Sequence, residues 1–99
     1  MREMQILSYN FDGPYDPDRR FIESFCAVYT IIDTRTKIID VGETGDINGR
    51  FPNHDRKPCW MANGTGILEL YIYKESSEEK RRQIESEIRN VYNPPCGEI

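Results

Sequence analysis

SFCAVYTIIDTRTKIIDVG (residues 24–42) is the stretch on which the fold turns. Its first part, SFCAVYTII (24–32), is β-branched, aromatic and apolar at successive positions. That is the pattern of a central strand covered on both faces. DTRTK (33–37) reads as a hairpin turn and IIDVG (38–42) as the returning strand. So short a connection permits only antiparallel pairing, because a parallel crossover needs a dozen residues or more.

Upstream, the chain allows a short edge strand around Met4–Leu7, after which FDGPYDPDRR (11–20) has the Gly, Pro and Asp density of a loop. Beyond Gly42, Asp46 can N-cap a short helix running to about His54. NHDRKPCWMANGTG (53–66) reads as a loop with Trp60 as its apolar anchor, and GILELYIYK (66–74) as a third strand. SSEEKRRQIESEIRNVY (76–92) is the clearest helix. Ser76 and Glu79 fit a capping box, and Ile84, Ile88, Val91 and Tyr92 form one apolar stripe. NPPCG (93–97) ends it. The predicted order is β-β-α-β-α: an α+β fold with a small three-stranded antiparallel sheet flanked by helices. No repeat, linker or low-complexity tract divides the chain, so residues 1–99 read as one domain.

Thirteen basic residues against seventeen acidic ones give a net charge of −4 in 99 residues. This balance argues against a protein that coats nucleic acid non-specifically. Residues 46–60 are the positive exception, with Arg50, Arg56 and Lys57 against Asp46 and Asp55, and they hold the only histidine. No apolar run approaches the roughly 20 residues of a membrane helix. No basic flank precedes an apolar stretch near Met1, so the reading expects a cytoplasmic protein without a secretory leader. Cys26, Cys59 and Cys96 are odd in number and widely spaced, which reads as three reduced thiols. A zinc site would need all three plus His54, with no CxxC pair to begin it.

AVYTIID (27–33), DVGETGDINGRFPNH (40–54) and RRQIESEIRNVYNPPCG (81–97) together resemble the GIY-YIG endonuclease family. AVY stands where that family has its first triplet and DVG where it has its second. A helical Arg follows, a His four residues later, and a Glu on a later helix. The resemblance spans about residues 26–97 and leaves residues 1–25 as an extension. It implies hydrolysis of DNA phosphodiesters with one divalent metal, Mg²⁺ or Mn²⁺. Glu85 would be the metal ligand, Arg50 the phosphate clamp, Tyr29 the group that takes a proton from the attacking water, and His54 an acid, base or phosphate donor. A carboxylate oxygen suits a hard cation, and a planar, permanently charged fork suits phosphate.

Each of these residues also has an ordinary use. Tyr29 can be core, Arg50 can pair with Glu43 or Asp46, and His54 can cap the short helix. Glu85 lies four residues from both Arg81 and Arg89, the spacing of an ion-pair ladder. Asp40 replaces the family's second Tyr, Glu43 follows the second Gly, and Gly97 stands where an Asn often closes the pattern. If Asp40 and Glu43 fill the space between Tyr29, Arg50 and Glu85, the fold would serve as a non-catalytic binding or interaction module. The acidic charge leaves three expectations open: a partner protein supplies DNA affinity, the domain acts weakly on special DNA structures, or it no longer cuts.

Overall fold

The computed structural model describes residues 2–33, 37–51, 54–64 and 66–97. Strand β3 (Ala27–Asp33) is buried at all seven positions, Thr30 and Asp33 included, in keeping with its largely apolar and β-branched sequence. It lies between β4 (Ile38–Thr44) and β5 (Leu68–Lys74) and is antiparallel to both. The 33–37 turn falls largely outside the described residues, but Asp33 N–H donates to the Lys37 carbonyl at 3.1 Å and marks its closure.

Among the described residues the sheet has five strands rather than three, in the order β1-β2-β5-β3-β4. The two extra strands are β1 (Arg2–Ile6) and β2 (Tyr9–Tyr15), an antiparallel hairpin docked on β5. β1 was expected as an edge strand; β2 replaces the first half of the expected 11–20 loop. Gly13 and Pro14 were misleading because they sit at an irregularity, where the β2–β5 register shifts between Asp12 and Tyr15. Pro is tolerated inside a sheet at such a break. Gly13 is required there, since a Cβ would lie 2.7 Å from Tyr71 Cδ2 and 2.9 Å from the Leu70 carbonyl oxygen.

Side-chain alternation along β3 divides the core. Val28 and Ile32 face helix α3 (Glu78–Tyr92), packing with Val41, Tyr71, Ile84 and Ile88. Ala27, Tyr29 and Ile31 face the other way, toward Ile47, Phe51 and Trp60. Those three come from α1 (Ile47–Arg50), its C-cap, and α2 (Lys57–Asn63). Helix α1 stops at Arg50 rather than near His54. Phe51 is extended (φ −116°, ψ 148°), as the residue before a proline tends to be. Asp46 precedes α1 but makes no side-chain cap; its carboxylate takes the Ser24 hydroxyl instead. Helix α2 replaces part of the expected loop. At seven residues it is too short to show a helical period, and its Pro58 sits in the first turn, where no N–H is needed.

The cap of α3 is Ser77, not Ser76: its hydroxyl accepts from Lys80 N–H at 3.3 Å. Ile84 and Ile88 are buried as expected, whereas Val91 and Tyr92 are 62% and 45% exposed, because the last turn runs past the sheet edge. Arg81 is the unexpected buried member of this helix. Its guanidinium donates to Glu43 at 2.9 Å and to the carbonyls of Glu75 and Ser76.

The cysteine reading is also corrected. Cys59 on α2 and Cys96 after α3 are joined in a disulfide, and Cys26 alone is free. Three thiols for a zinc site are therefore not present, and no group of three or more His, Cys, Asp and Glu among the described residues could hold a metal. Also among the described residues, no helix is long and apolar enough to cross a membrane.

Candidate functional site

Tyr29 and Gly42 are register partners on β3 and β4, and the phenol ring lies across the glycine. The hydroxyl end is fully buried and meets three nitrogen groups. His54 Nε2 is 2.7 Å from Oη, Arg56 Nη2 is 3.1 Å away and Arg50 Nη2 is 3.2 Å away. Arg50 arrives from the last residue of α1, while His54 and Arg56 come from the segment leading into α2. Phe51 and Trp60 pack against the imidazole with ring centroids 5.3 and 4.7 Å away.

His54 Nδ1 lies 3.0 Å from the backbone nitrogen of Arg56, and Nε2 stands between Tyr29 Oη and the Arg50 guanidinium. Burial, then the charges of Arg50 and Arg56, lowers the His54 pKa to about 4. It is neutral at pH 7, as expected beside an arginine nitrogen 2.9 Å from Nε2. The exposed Asp55 carboxylate stands 3.2 Å from Nδ1 and is too solvated to reverse this. Burial pushes the Tyr29 pKa above that of a free phenol, and the two arginines pull it back. The phenol oxygen thus meets two guanidinium donors and a ring nitrogen of His54.

Asp40 is the second centre of the cluster. Its side chain is wholly buried on β4, with Oδ2 accepting from Arg56 Nε at 2.7 Å and Trp60 Nε1 at 2.8 Å. Its Oδ1 accepts from Arg89 Nη2 at 3.2 Å. Arg89 continues the chain of contacts to Glu85, one helical turn before it, at 3.5 Å. Burial raises the Glu85 pKa against the opposing pull of Arg89. Glu85 opens onto a cleft of about 340 Å³, shared with Arg82, Arg89, Asn90 and Asn93.

The four residues singled out in the sequence are therefore gathered, but in two steps. Tyr29, Arg50 and His54 touch one another; Glu85 joins them through Arg89, Asp40 and Arg56. Arg50 pairs with neither Glu43 nor Asp46; its ion-pair partner is Asp55 at 3.6 Å. Half of the expected Glu85 ladder forms, with Arg89, while Arg81 turns to Glu43. The two acids that departed from the pattern part company: Asp40 lies inside the cluster, and Glu43 points to Arg81. Sequence reasoning missed Arg56 and Arg89 as site residues. Their only signals were the positive stretch 46–60 and the i, i+4 spacing from Glu85.

No family model, curated protein or solved structure matches this chain. The functional reading therefore rests on the residues themselves.

Proposed function

We propose that the protein hydrolyses phosphodiester bonds in DNA with the help of a divalent metal, in the manner of the GIY-YIG endonucleases it resembles. One observation carries this reading: a buried phenol oxygen ringed by Arg50, Arg56 and His54, with the half-buried carboxylate of Glu85 linked to it through Arg89, Asp40 and Arg56. Arg50, whose side chain is 37% exposed, is the guanidinium best placed to turn outward and grip a phosphate. Tyr29 is the group to take up the proton of the attacking water once its own proton has passed to solvent, a loss that the two arginines favour and burial opposes. His54, neutral at pH 7, sets its Nε2 against the phenol oxygen at 2.7 Å. Two arginines at a phosphate offset the charge that develops in the transition state.

Glu85 is the residue to hold Mg²⁺ or Mn²⁺. A single carboxylate is enough for a cation that keeps several waters and shares phosphate oxygens. Bound there, the metal would supply Lewis-acid stabilisation of the phosphate and the leaving oxygen. The cleft beside Glu85, edged by Arg82, Asn90 and Asn93, offers polar groups to the adjoining nucleotide backbone. With a net charge of −4, binding to a polyanion calls for a partner protein or a DNA structure that presents its phosphates unusually. The cytoplasm is the proposed setting.

The test is cleavage of plasmid and branched DNA with Mg²⁺ or Mn²⁺ by the wild type, Arg50→Ala and Glu85→Ala. Metal-dependent nicking that both substitutions reduce at least a hundredfold supports the reading. Activity that survives either substitution contradicts the assignment.

A second reading has its own observation. Tyr29 is fully covered, and Asp40 neutralises two arginines of the cluster. This favours a non-catalytic binding module. Wild-type protein that binds DNA in a salt-sensitive, Arg50-dependent way, yet never cuts it, would select this reading.

A further inference from the structure

Arg56, which the sequence pattern did not single out, holds three members of the cluster at once. Its Nε is bound to Asp40, its Nη2 to Tyr29 Oη, and its backbone N–H to His54 Nδ1. Its side chain remains 23% exposed, so the guanidinium bridges the buried phenol and the surface. Asp40 is itself held from two other directions, by Trp60 and by Arg89. A carboxylate that is itself wholly buried and takes three donors is a fixed anchor and not a mobile counter-ion. The planar fork of arginine suits this geometry, since one edge can bind a carboxylate while another N–H reaches a second acceptor.

We propose that Arg56 is a second phosphate-holding arginine at the Tyr29 site and that Asp40 is its positioning residue, keeping the guanidinium on the phenol oxygen. The inference rests on the reading of this site as one that handles nucleic-acid phosphate. Asp40, though negative, then promotes the binding of an anion because it sets the direction of Arg56. If Asp40 served only to neutralise charge, removing its charge would strengthen anion binding instead.

That difference in sign is the experiment. Binding of a fluorescent branched DNA is measured without divalent metal, so that nothing is cut, across a salt series. The variants are Asp40→Asn, Arg56→Gln and Arg56→Lys, with Lys80→Gln on the exposed face of α3 as control. Folding is followed by circular dichroism. We expect Asp40→Asn to bind several-fold more weakly despite its added positive charge. Arg56→Gln should weaken binding about tenfold and lower the slope of log K against log salt by about one. Arg56→Lys should restore the slope without restoring the affinity, because it keeps the charge and loses the fork. Tighter binding by Asp40→Asn overturns the positioning role, as does wild-type affinity in Arg56→Lys should Asp40→Asn fail to fold. Wild-type affinity and slope in Arg56→Gln overturn the role of Arg56 while leaving the phosphodiesterase reading intact. Absence of binding by the wild-type protein overturns both.

Discussion

The phenol of Tyr29 occupies the space where residue 42 would otherwise carry a side chain: a Cβ on Gly42 would stand 2.2 Å from Oη and 2.4 Å from Cζ. The requirement for glycine is one of close approach across the β3–β4 pair. Gly42→Ala must therefore push the ring off its donors. We expect a loss of about 1–3 kcal/mol, the usual range for overpacking, seen as a lower denaturation midpoint. In a Tyr29→Ala background, where the ring is gone, the same Gly42→Ala substitution should cost much less. Equal costs in both backgrounds would contradict the contact.

His54 makes stability depend on pH in a definite direction. Its pKa is about 4 in the folded protein and near 6.5 in the unfolded chain. Between those values the unfolded chain binds more protons, so stability is complete above pH 6.5 and falls as the pH drops toward 4. The whole effect is on the order of 3 kcal/mol, from about 1.4 kcal/mol per pKa unit. Urea unfolding at pH 7.0 and 5.0 should show a decline that His54→Gln removes. A decline of the same size in His54→Gln would place its origin elsewhere.

The Cys59–Cys96 disulfide ties α2 to the segment after α3, closing a loop with a sequence separation of 37. Arg89 donates to the Cys96 carbonyl at 3.1 Å, so the cross-link also secures the arginine that faces Asp40. Reduction should cost about 2–4 kcal/mol and shift the melting temperature accordingly. Such bonds persist in oxidising surroundings, so a count of one free thiol without reductant would revise the expected cytoplasmic setting. Three free thiols would restore the reduced reading.

The stretch 24–42 was legible because burial on both faces leaves an unbroken apolar signature, and because a five-residue turn admits one topology. The hairpin at the N-terminus was not, since Gly13 and Pro14 serve a sheet irregularity and a close approach to Tyr71 while carrying the composition of a loop. Helix α2 hid behind its shortness. The apolar stripe on α3 was traced correctly through Ile88 and then extended two residues too far, because periodicity does not reveal where the sheet beneath ends. At the candidate site, Tyr29, Arg50 and His54 were singled out by an ordered pattern, and the structure brings the three into contact. Arg56 and Arg89 were not, because their partner Asp40 is distant in sequence and only the β4 register brings it there. Asp40 stands where the resembled pattern has a Tyr; buried among three donors, it organises the cluster.

Tyr29→Phe tests the central claim most directly, because it removes one oxygen and leaves the ring that packs against Phe51 and Gly42. Single-turnover cleavage of branched DNA in Mn²⁺ should fall by at least a hundredfold, with the far-ultraviolet spectrum unchanged. Cleavage by Tyr29→Phe at the wild-type rate would contradict the account, for it would mean that the oxygen ringed by Arg50, Arg56 and His54 takes no part in the chemistry.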